Sequence, residues 1–298
     1  MNWKIKTMDD QTGKVVIITG SNTGIGYHMA YGLASKGANV VMACRNLEKA
    51  ADSKNKILKD FPNANIKLYQ LDLADLDNIN YFTKKFIKEN DRLDILINNA
   101  GVMIPPYSKT KNNFELQFGT NHLGHFALTG LLLPLLEKND NGRIITVSSI
   151  AHNPGIIDFN DLNSERKKYS KWGSYSQSKI ANLCFAIELD RRLKAGGFST
   201  ISLASHPGYS NTELQRYSII WRILNIFFAM SAKRGSEATL FAATNQKATE
   251  YIYWGPTGII EMRGRTGNAK INKKAQDKDT AKRLWSISEE MTGVKFLS

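Results

Sequence analysis

Tyr175 and Lys179 stand four positions apart in the run YSQSK, and on a helix that spacing puts both side chains on one face. A free phenol, with a pKa of about 10, is a poor base at neutral pH. A nearby ammonium stabilises the phenolate, and each pKa unit of lowering corresponds to about 1.4 kcal/mol. Such a pair can exchange a proton with an alcohol or carbonyl oxygen. Taken alone, the spacing is also that of a solvated helix edge, so its company decides. Val147-Ser148-Ser149 closes one apolar run, and a hydroxyl there can hold a substrate oxygen. Asn98-Asn99-Ala100-Gly101 and His206-Pro207-Gly208 close two more.

A second constellation lies near the start of the chain. Thr19-Gly20-Ser21-Asn22-Thr23-Gly24-Ile25-Gly26 falls between an apolar run and a helical pattern. Glycines in that position let the backbone turn tightly and approach a pyrophosphate, whose charge meets the helix N-terminus. An ordinary glycine turn is the competing reading, and the strand–turn–helix context argues against it. A dinucleotide seated there would bring the hydride that a Tyr/Lys proton carrier needs. NAD-preferring sites of this kind carry an acid about 20 residues on. Here the second run ends Ala43-Cys44-Arg45-Asn46, and the first acid is Glu48. Arg45 can fork onto a 2′-phosphate through charge-assisted bonds of about 1.5–3 kcal/mol. NADP(H) is therefore expected over NAD(H), against the alternative of a surface arginine.

The elements that must position these residues are legible as periodicity. Short Val/Ile-rich runs, expected as strands, cover residues 15–18, 38–43, 66–71, 93–97, 143–147 and 200–204. Helical patterns alternate with them: one from about Gly24, with Ile25, Met29 and Leu33 on one stripe and Gly37 as its C′ residue, an Ala/Lys-rich one to about Lys59, and one from Asp77 to about Lys88. Others run from Phe114 to about Leu136, bent or ended near Pro134, then Trp172–Lys194, Ala232–Asn245 and about Asp279–Met291. Strands apolar on both faces, each followed by a helix, predict an α/β fold: a single doubly wound Rossmann-fold domain over residues 1–298, with a parallel sheet and helices on both faces.

With 298 residues, 42% hydrophobic and 22% charged, the chain is neither disordered nor a disulfide-stapled miniature. Cys44 and Cys184, 140 positions apart, suit a reducing compartment. Neither a signal peptide nor an apolar stretch near the roughly 20 residues of a membrane span is visible, so a cytoplasmic protein without a transmembrane anchor is expected. The formal charge of +13 would suit a polyanion, but the lysines are scattered and resemble a solvated surface. No nucleic-acid module appears. The five histidines lack ligand spacing with carboxylates or cysteines, so no metal is expected. His152 and Met103 are expected near the pocket as lining, and Trp285 and Met291 in the core. Trp172 suits either setting.

Together these residues resemble the short-chain dehydrogenase/reductase family, over nearly the whole chain from Lys14 to at least Thr212. The motifs come in the family's order: TGSNTGIG, the Asp72-Leu73 pair, NNAG, Asn121 in the long helix, the serine after the fifth strand, YxxxK and HPG. The resemblance implies Tyr175 as acid/base, with Lys179 lowering its pKa and binding the nicotinamide ribose. It implies Ser149, ahead of Ser148, as the group that orients the carbonyl, and Asn121 as support for a water in the proton relay. Gly20, Ser21, Asn22, Thr23, Gly24, Ile25 and Gly26 would cradle the cofactor, and Asp72 and Leu73 would face the adenine. Asn99, Ala100 and Gly101 would line the cofactor, while Pro207, Gly208 and Thr212 would close over the nicotinamide side.

Ser149 and Tyr175 are 26 positions apart, about twice the family's common short spacing. The stretch between them, with ACRN, NHLGHF and HPGYSNTEL, looks like the retinol dehydrogenase and light-dependent protochlorophyllide reductase branch. Lacking an N-terminal anchor, the chain looks closer to soluble bacterial-type members, as does YWGPTGIIEMRG near its end. An apolar segment, Tyr217 to Phe228, falls within the family's substrate-lid region, about residues 209–232. It suits a lid over a small lipophilic substrate, a packing or subunit contact, or peripheral contact with a membrane surface. Homodimer and monomer both stay open, since the insertion precedes the helix through which many relatives pair. The leading expectation is an NADP(H)-dependent oxidoreductase of a lipophilic alcohol/carbonyl pair, retinoid-, steroid- or fatty-aldehyde-like. Reduction of an activated C=C bond and a non-catalytic NADP(H)-binding sensor are the alternatives.

Overall fold

The structure is a computed structural model that describes residues 3–208 and 231–297. Apolar runs form β1 (Val15–Thr19), β2 (Asn39–Cys44), β3 (Ile66–Gln70), β4 (Ile95–Asn98), β5 (Arg143–Val147) and β6 (Ile201–Ser205). Two further strands, β7 (Tyr253–Pro256) and β8 (Thr266–Asn268), complete one sheet in the order β3-β2-β1-β4-β5-β6-β7-β8. All pairings are parallel except β7 with β8, which is antiparallel. The doubly wound α/β expectation therefore holds, with one antiparallel edge strand added. The order reverses between β1 and β4, where such sheets open a ligand crevice at their carboxyl edge.

The helices are α1 (Gly24–Ala34), α2 (Leu47–Asp60), α3 (Leu76–Glu89), α4 (Leu116–Phe118), α5 (Gly124–Leu136), α6 (Lys171–Ala195), α7 (Ala232–Thr244) and α8 (Lys278–Thr292). Alternation along β1 divides the core between the faces. Val16 and Ile18 join Met29, Leu33, Leu240 and Phe241 on one side. Ile17 joins Phe82, Phe126, Phe185 and Trp285 on the other. Trp285 is thus core, as expected, and Met291 packs beside a third cluster around Leu183 and Tyr253.

Three details depart from expectation. The expected helix over 114–136 is a composite: α4 and α5 are joined by a π segment, Gly119–Leu123, in which the Gly124 N–H reaches back five residues to the Gly119 carbonyl. Its end is as expected, α5 closing at Leu136, two residues after Pro134. At the end of α1 the C-cap is Ser35, so Gly37, with φ of 80°, sits one place beyond C′. β7 and β8 are short and rich in Gly and Pro, which hides them from a search for apolar alternation.

β7 runs tightly against the end of β6. A Cβ on Gly255 would lie 2.0 Å from His206 Nε2, inside a fully buried ring. Gly255→Ala is expected to destabilise the fold by about 1–3 kcal/mol, the usual overpacking cost. Thermal denaturation against wild type checks this, and an unchanged Tm would mean that β7 shifts freely.

Candidate active site

The glycine-rich turn is shaped by backbone contact. Gly20 (φ 64°) and Gly24 (φ 54°) adopt left-handed conformations. A Cβ at Gly20 would meet Ala100 Cα at 2.9 Å, and one at Gly26 would meet the Gly20 carbonyl at 2.3 Å. Thr23, the N-cap of α1, offers its helix no side-chain cap, so the first N–H groups face the crevice with the helix dipole behind them. Asn99 Nδ2 donates to the Thr19 carbonyl (2.7 Å), tying the NNAG turn to this one. Ser21 is fully buried, and its hydroxyl donates to the Ile18 carbonyl (3.0 Å).

Along the same crevice lie Arg45, Asp72 and Leu73, joined by Asn46 and Lys49. Asn46 caps α2 by accepting from the Lys49 N–H (2.8 Å), which turns the exposed first turn of α2 toward Arg45. Two cations thus flank the far end of the crevice. Lys49 was missed because the helix was read only as Ala/Lys-rich. The Asn46 cap, one residue after Arg45, is the signal that fixes its first turn. Asp72 holds the backbone, its Oδ1 accepting from the Ala74 N–H (3.0 Å).

At the other end, β5 delivers Ser148 and Ser149, and α6 delivers Tyr175 and Lys179 to the same wall. The two serines separate clearly. Ser148 is buried and donates to the Lys179 carbonyl (2.7 Å). Ser149 is half-buried, accepts from the Ala151 N–H (3.2 Å) and hydrogen-bonds toward the Tyr175 phenol. Burial pushes the phenol up to about 12, with the Ser149 bond acting in opposition. Burial also draws Lys179 down to about 8. Its Nζ donates to the Val147 carbonyl (3.2 Å) and lies 5.7 Å from the centre of the Tyr175 ring. The shift of the phenol is set by burial and the Ser149 bond, and the expected lowering by the ammonium is not among its causes.

Asn121 sits inside the π segment, fully buried behind the wall. Its Oδ1 accepts from the Val102 N–H (2.8 Å), while Nδ2 donates to the Val102 carbonyl and to Ser178 Oγ (both 2.9 Å). Ser178 Oγ in turn donates to the Tyr175 carbonyl (2.8 Å). Both amide protons of Asn121 are therefore engaged, and they set the loop after NNAG against α6. His152 is buried behind Ser149 rather than lining the cleft, with its Nδ1 2.7 Å from the Ser149 carbonyl.

The crevice encloses about 850 Å³. Apolar side chains line much of the rest, among them Met103, Pro105, Leu116, Pro154, Trp172 and Met262. Met262 comes from the segment after β7 and was not anticipated; a Cβ on Gly208 would touch its carbonyl at 2.5 Å. Asn22, Thr23, Ile25, Ala100, Gly101, Pro207 and Gly208 also line the crevice. Thr212 and most of the proposed lid lie outside the described residues. Among the described residues no group of His, Cys, Asp or Glu is arranged to hold a metal, and no helix is long and apolar enough to cross a membrane.

Residues 14–222 match the family model for short chain dehydrogenases. Human retinol dehydrogenase 12 is 40% identical over 292 residues, covering 95% of this chain and 88% of its own. Human retinol dehydrogenase 13 is 38% identical, covering 95% and 86%. A crystal structure of an uncharacterised Mycobacterium paratuberculosis protein superposes with a TM-score of 0.84 at 39% identity, covering 99% of both chains. A Pseudomonas aeruginosa RhlG/NADP complex (TM-score 0.56, 24% identity, 70% of this chain and 77% of that one) shares the fold. The chain belongs to the short-chain dehydrogenase family, in its retinol dehydrogenase-like branch. It is an oxidoreductase acting on CH–OH/C=O groups.

Gly26 is the most sterically exposed test of the cradle. Gly26→Ala should abolish detectable binding of NADPH and NADH, measured by nicotinamide fluorescence, and should also lower the Tm, since its Cβ would meet the Gly20 carbonyl at 2.3 Å and overpacking costs about 1–3 kcal/mol. Retained binding would show that the turn does not seat a dinucleotide.

Proposed function

We propose that this protein is an NADP(H)-dependent oxidoreductase of a lipophilic alcohol/carbonyl pair, with Tyr175 as its acid/base. The observation that carries the proposal is the convergence of Tyr175, Lys179 and Ser149 midway along one crevice. A glycine cradle flanked by Arg45 and Lys49 lies on one side and an apolar wall on the other. The cradle suits a dinucleotide, since its turn closes so tightly that Cβ atoms at Gly20 and Gly26 would clash with Ala100 and the Gly20 carbonyl, leaving backbone to face the crevice, and the uncapped start of α1 suits a pyrophosphate. When bound, the nicotinamide supplies or accepts the hydride.

The chain's own residues do the rest. Ser149 holds the substrate oxygen beside the phenol. Tyr175, kept protonated by burial, is poised to donate its proton to a carbonyl oxygen, so reduction needs no prior deprotonation. Lys179 supplies positive charge beside the phenolate that results and holds the nicotinamide ribose. Asn121 supports the relay by fixing the Val102 loop against α6. Asp72 and Leu73 face the adenine, and Asn99 to Gly101, Pro207 and Gly208 enclose the cofactor. Similarity to retinol dehydrogenases 12 and 13 supports a lipophilic substrate, as do Met103, Leu116, Trp172 and Met262.

Retinaldehyde and a medium-chain aldehyde are suitable probes. Tyr175→Phe should lower kcat by about 10²–10⁴-fold, the range for loss of a positioned acid, with NADPH affinity nearly intact. Unchanged turnover would remove Tyr175 from the chemistry.

Cofactor choice is read separately. Arg45→Ala should weaken NADPH binding by about 10- to 100-fold, the loss of a hydrogen bond between charged groups, while NADH affinity changes little. Lys49→Ala should act in the same sense with smaller effect. Equal loss for both cofactors would leave Arg45 as a general phosphate contact and overturn the NADP(H) preference.

A further inference from the structure

His125, one residue into α5, is 1% exposed and does not itself line the crevice. Its two ring nitrogens nevertheless meet the two halves of the site. Nδ1 lies 2.8 Å from the Asn121 carbonyl, and Nε2 lies 2.9 Å from Thr19 Oγ1. A carbonyl oxygen only accepts, so Nδ1 carries the proton. Burial holds the ring neutral, drawing its pKa down to about 4, and Nε2 is then an acceptor. The single hydroxyl proton of Thr19 goes to Nε2, since its other acceptor, the Ile97 carbonyl, is 3.4 Å away. That leaves the two lone pairs of Thr19 Oγ1 for the Asn99 and Ala100 N–H groups, each at 2.9 Å. Every donor and acceptor in the chain is matched. With the opposite tautomer, Thr19 Oγ1 would face three N–H donors with two lone pairs, and Nδ1 would confront the Asn121 carbonyl lone pair to lone pair.

We propose that His125 is a positioning residue that couples the cofactor turn to the catalytic segment, accepting from Thr19 at Nε2 and donating to the Asn121 carbonyl from Nδ1. On the first side it sets the hydroxyl that pins the NNAG turn to the end of β1, beside Gly20 and Gly26. On the second it steadies the π segment, from which Asn121 reaches Val102 and, through Ser178, the backbone of Tyr175. The functional arm of this inference rests on the crevice holding a dinucleotide; the tautomer does not.

Two conservative variants divide the ring. In His125→Asn the amide nitrogen stands in for Nδ1 and keeps the Asn121 bond while losing Thr19. In His125→Gln the longer amide reaches the place of Nε2 and keeps Thr19 while losing Asn121. His125→Asn should show its larger loss in NADPH affinity, and His125→Gln its larger loss in kcat for retinaldehyde. Each loss should be about 5- to 10-fold, the worth of one net hydrogen bond. Tm is recorded for both. In the wild-type protein without cofactor, ¹⁵N NMR should show a protonated Nδ1 and a pyridine-type Nε2 for His125 at neutral pH. An Nε2–H tautomer overturns the proposal, as do parallel losses in both readouts that track Tm, or no loss in either. Failure of the wild type to bind NADPH would instead sink the cofactor reading, with the NMR result still deciding the hydrogen-bond assignment.

Discussion

Where β1 and β4 part at the carboxyl edge of the sheet, backbone groups that a longer strand would pair are left over, in a place shielded from water. Such groups must find partners, or each costs free energy of about 1–3 kcal/mol. The Thr19 hydroxyl answers most of this demand, receiving two N–H groups from the NNAG turn, while Asn99 Nδ2 takes the Thr19 carbonyl. The same contacts draw the turn against Gly20, where Ala100 leaves no room for a side chain. The crevice is therefore a consequence of satisfying a strand end. Its cofactor wall consists of backbone because the residues that close it can approach only as glycines.

A second constraint governs the chemistry. Tyr175 and Lys179 are brought together by helical spacing, yet the helix that unites them also buries them, at 7% and 5% exposure. Loss of solvent disfavours the charged form of each, so one environment raises the phenol and lowers the ammonium. The ammonium is anchored to the Val147 carbonyl at the end of β5, beside the serines. Ser148, donating to the Lys179 carbonyl, locks that strand end to α6. Ser149 is then the hydroxyl beside the phenol, and the order of two adjacent serines becomes a division between support and contact.

The sequence made much of this legible, for physical reasons that also explain the gaps. β1 to β6 are apolar on both faces, and their periodicity survives without knowledge of their neighbours. Tyr175, Lys179, Arg45 and the glycines stand out in the sequence because the chemistry proposed for them depends on local spacing. The π segment around Asn121 leaves no comparable mark, since one extra residue in a turn scarcely alters a helix that is apolar all round. β7 and β8 exist through pairing with β6 and with each other, and Tyr253 and Trp254 carry no alternation to announce it. Lys49 and Met262 enter the crevice through a helix cap and a chain return, and His152 leaves it to stand behind Ser149. Each depends on tertiary placement.

The late part of the chain thus has a task that its modest strands conceal. β7 places Tyr253 beside the rings of His152 and His206, at centroid distances of 5.4 and 5.2 Å. The Asn272 N–H reaches His152 Nε2 (3.4 Å), leaving Nδ1 to donate to the Ser149 carbonyl. Met262 then returns to the crevice beside Gly208. The first half of the sheet builds a backbone cradle whose shape is fixed by glycines and one hydroxyl. The second half packs aromatic and imidazole rings behind the serine and turns an apolar side chain toward the substrate end. The π segment joins the two, since from it Asn121 holds the Val102 loop on one side and, through Ser178, reaches the backbone of Tyr175 on the other.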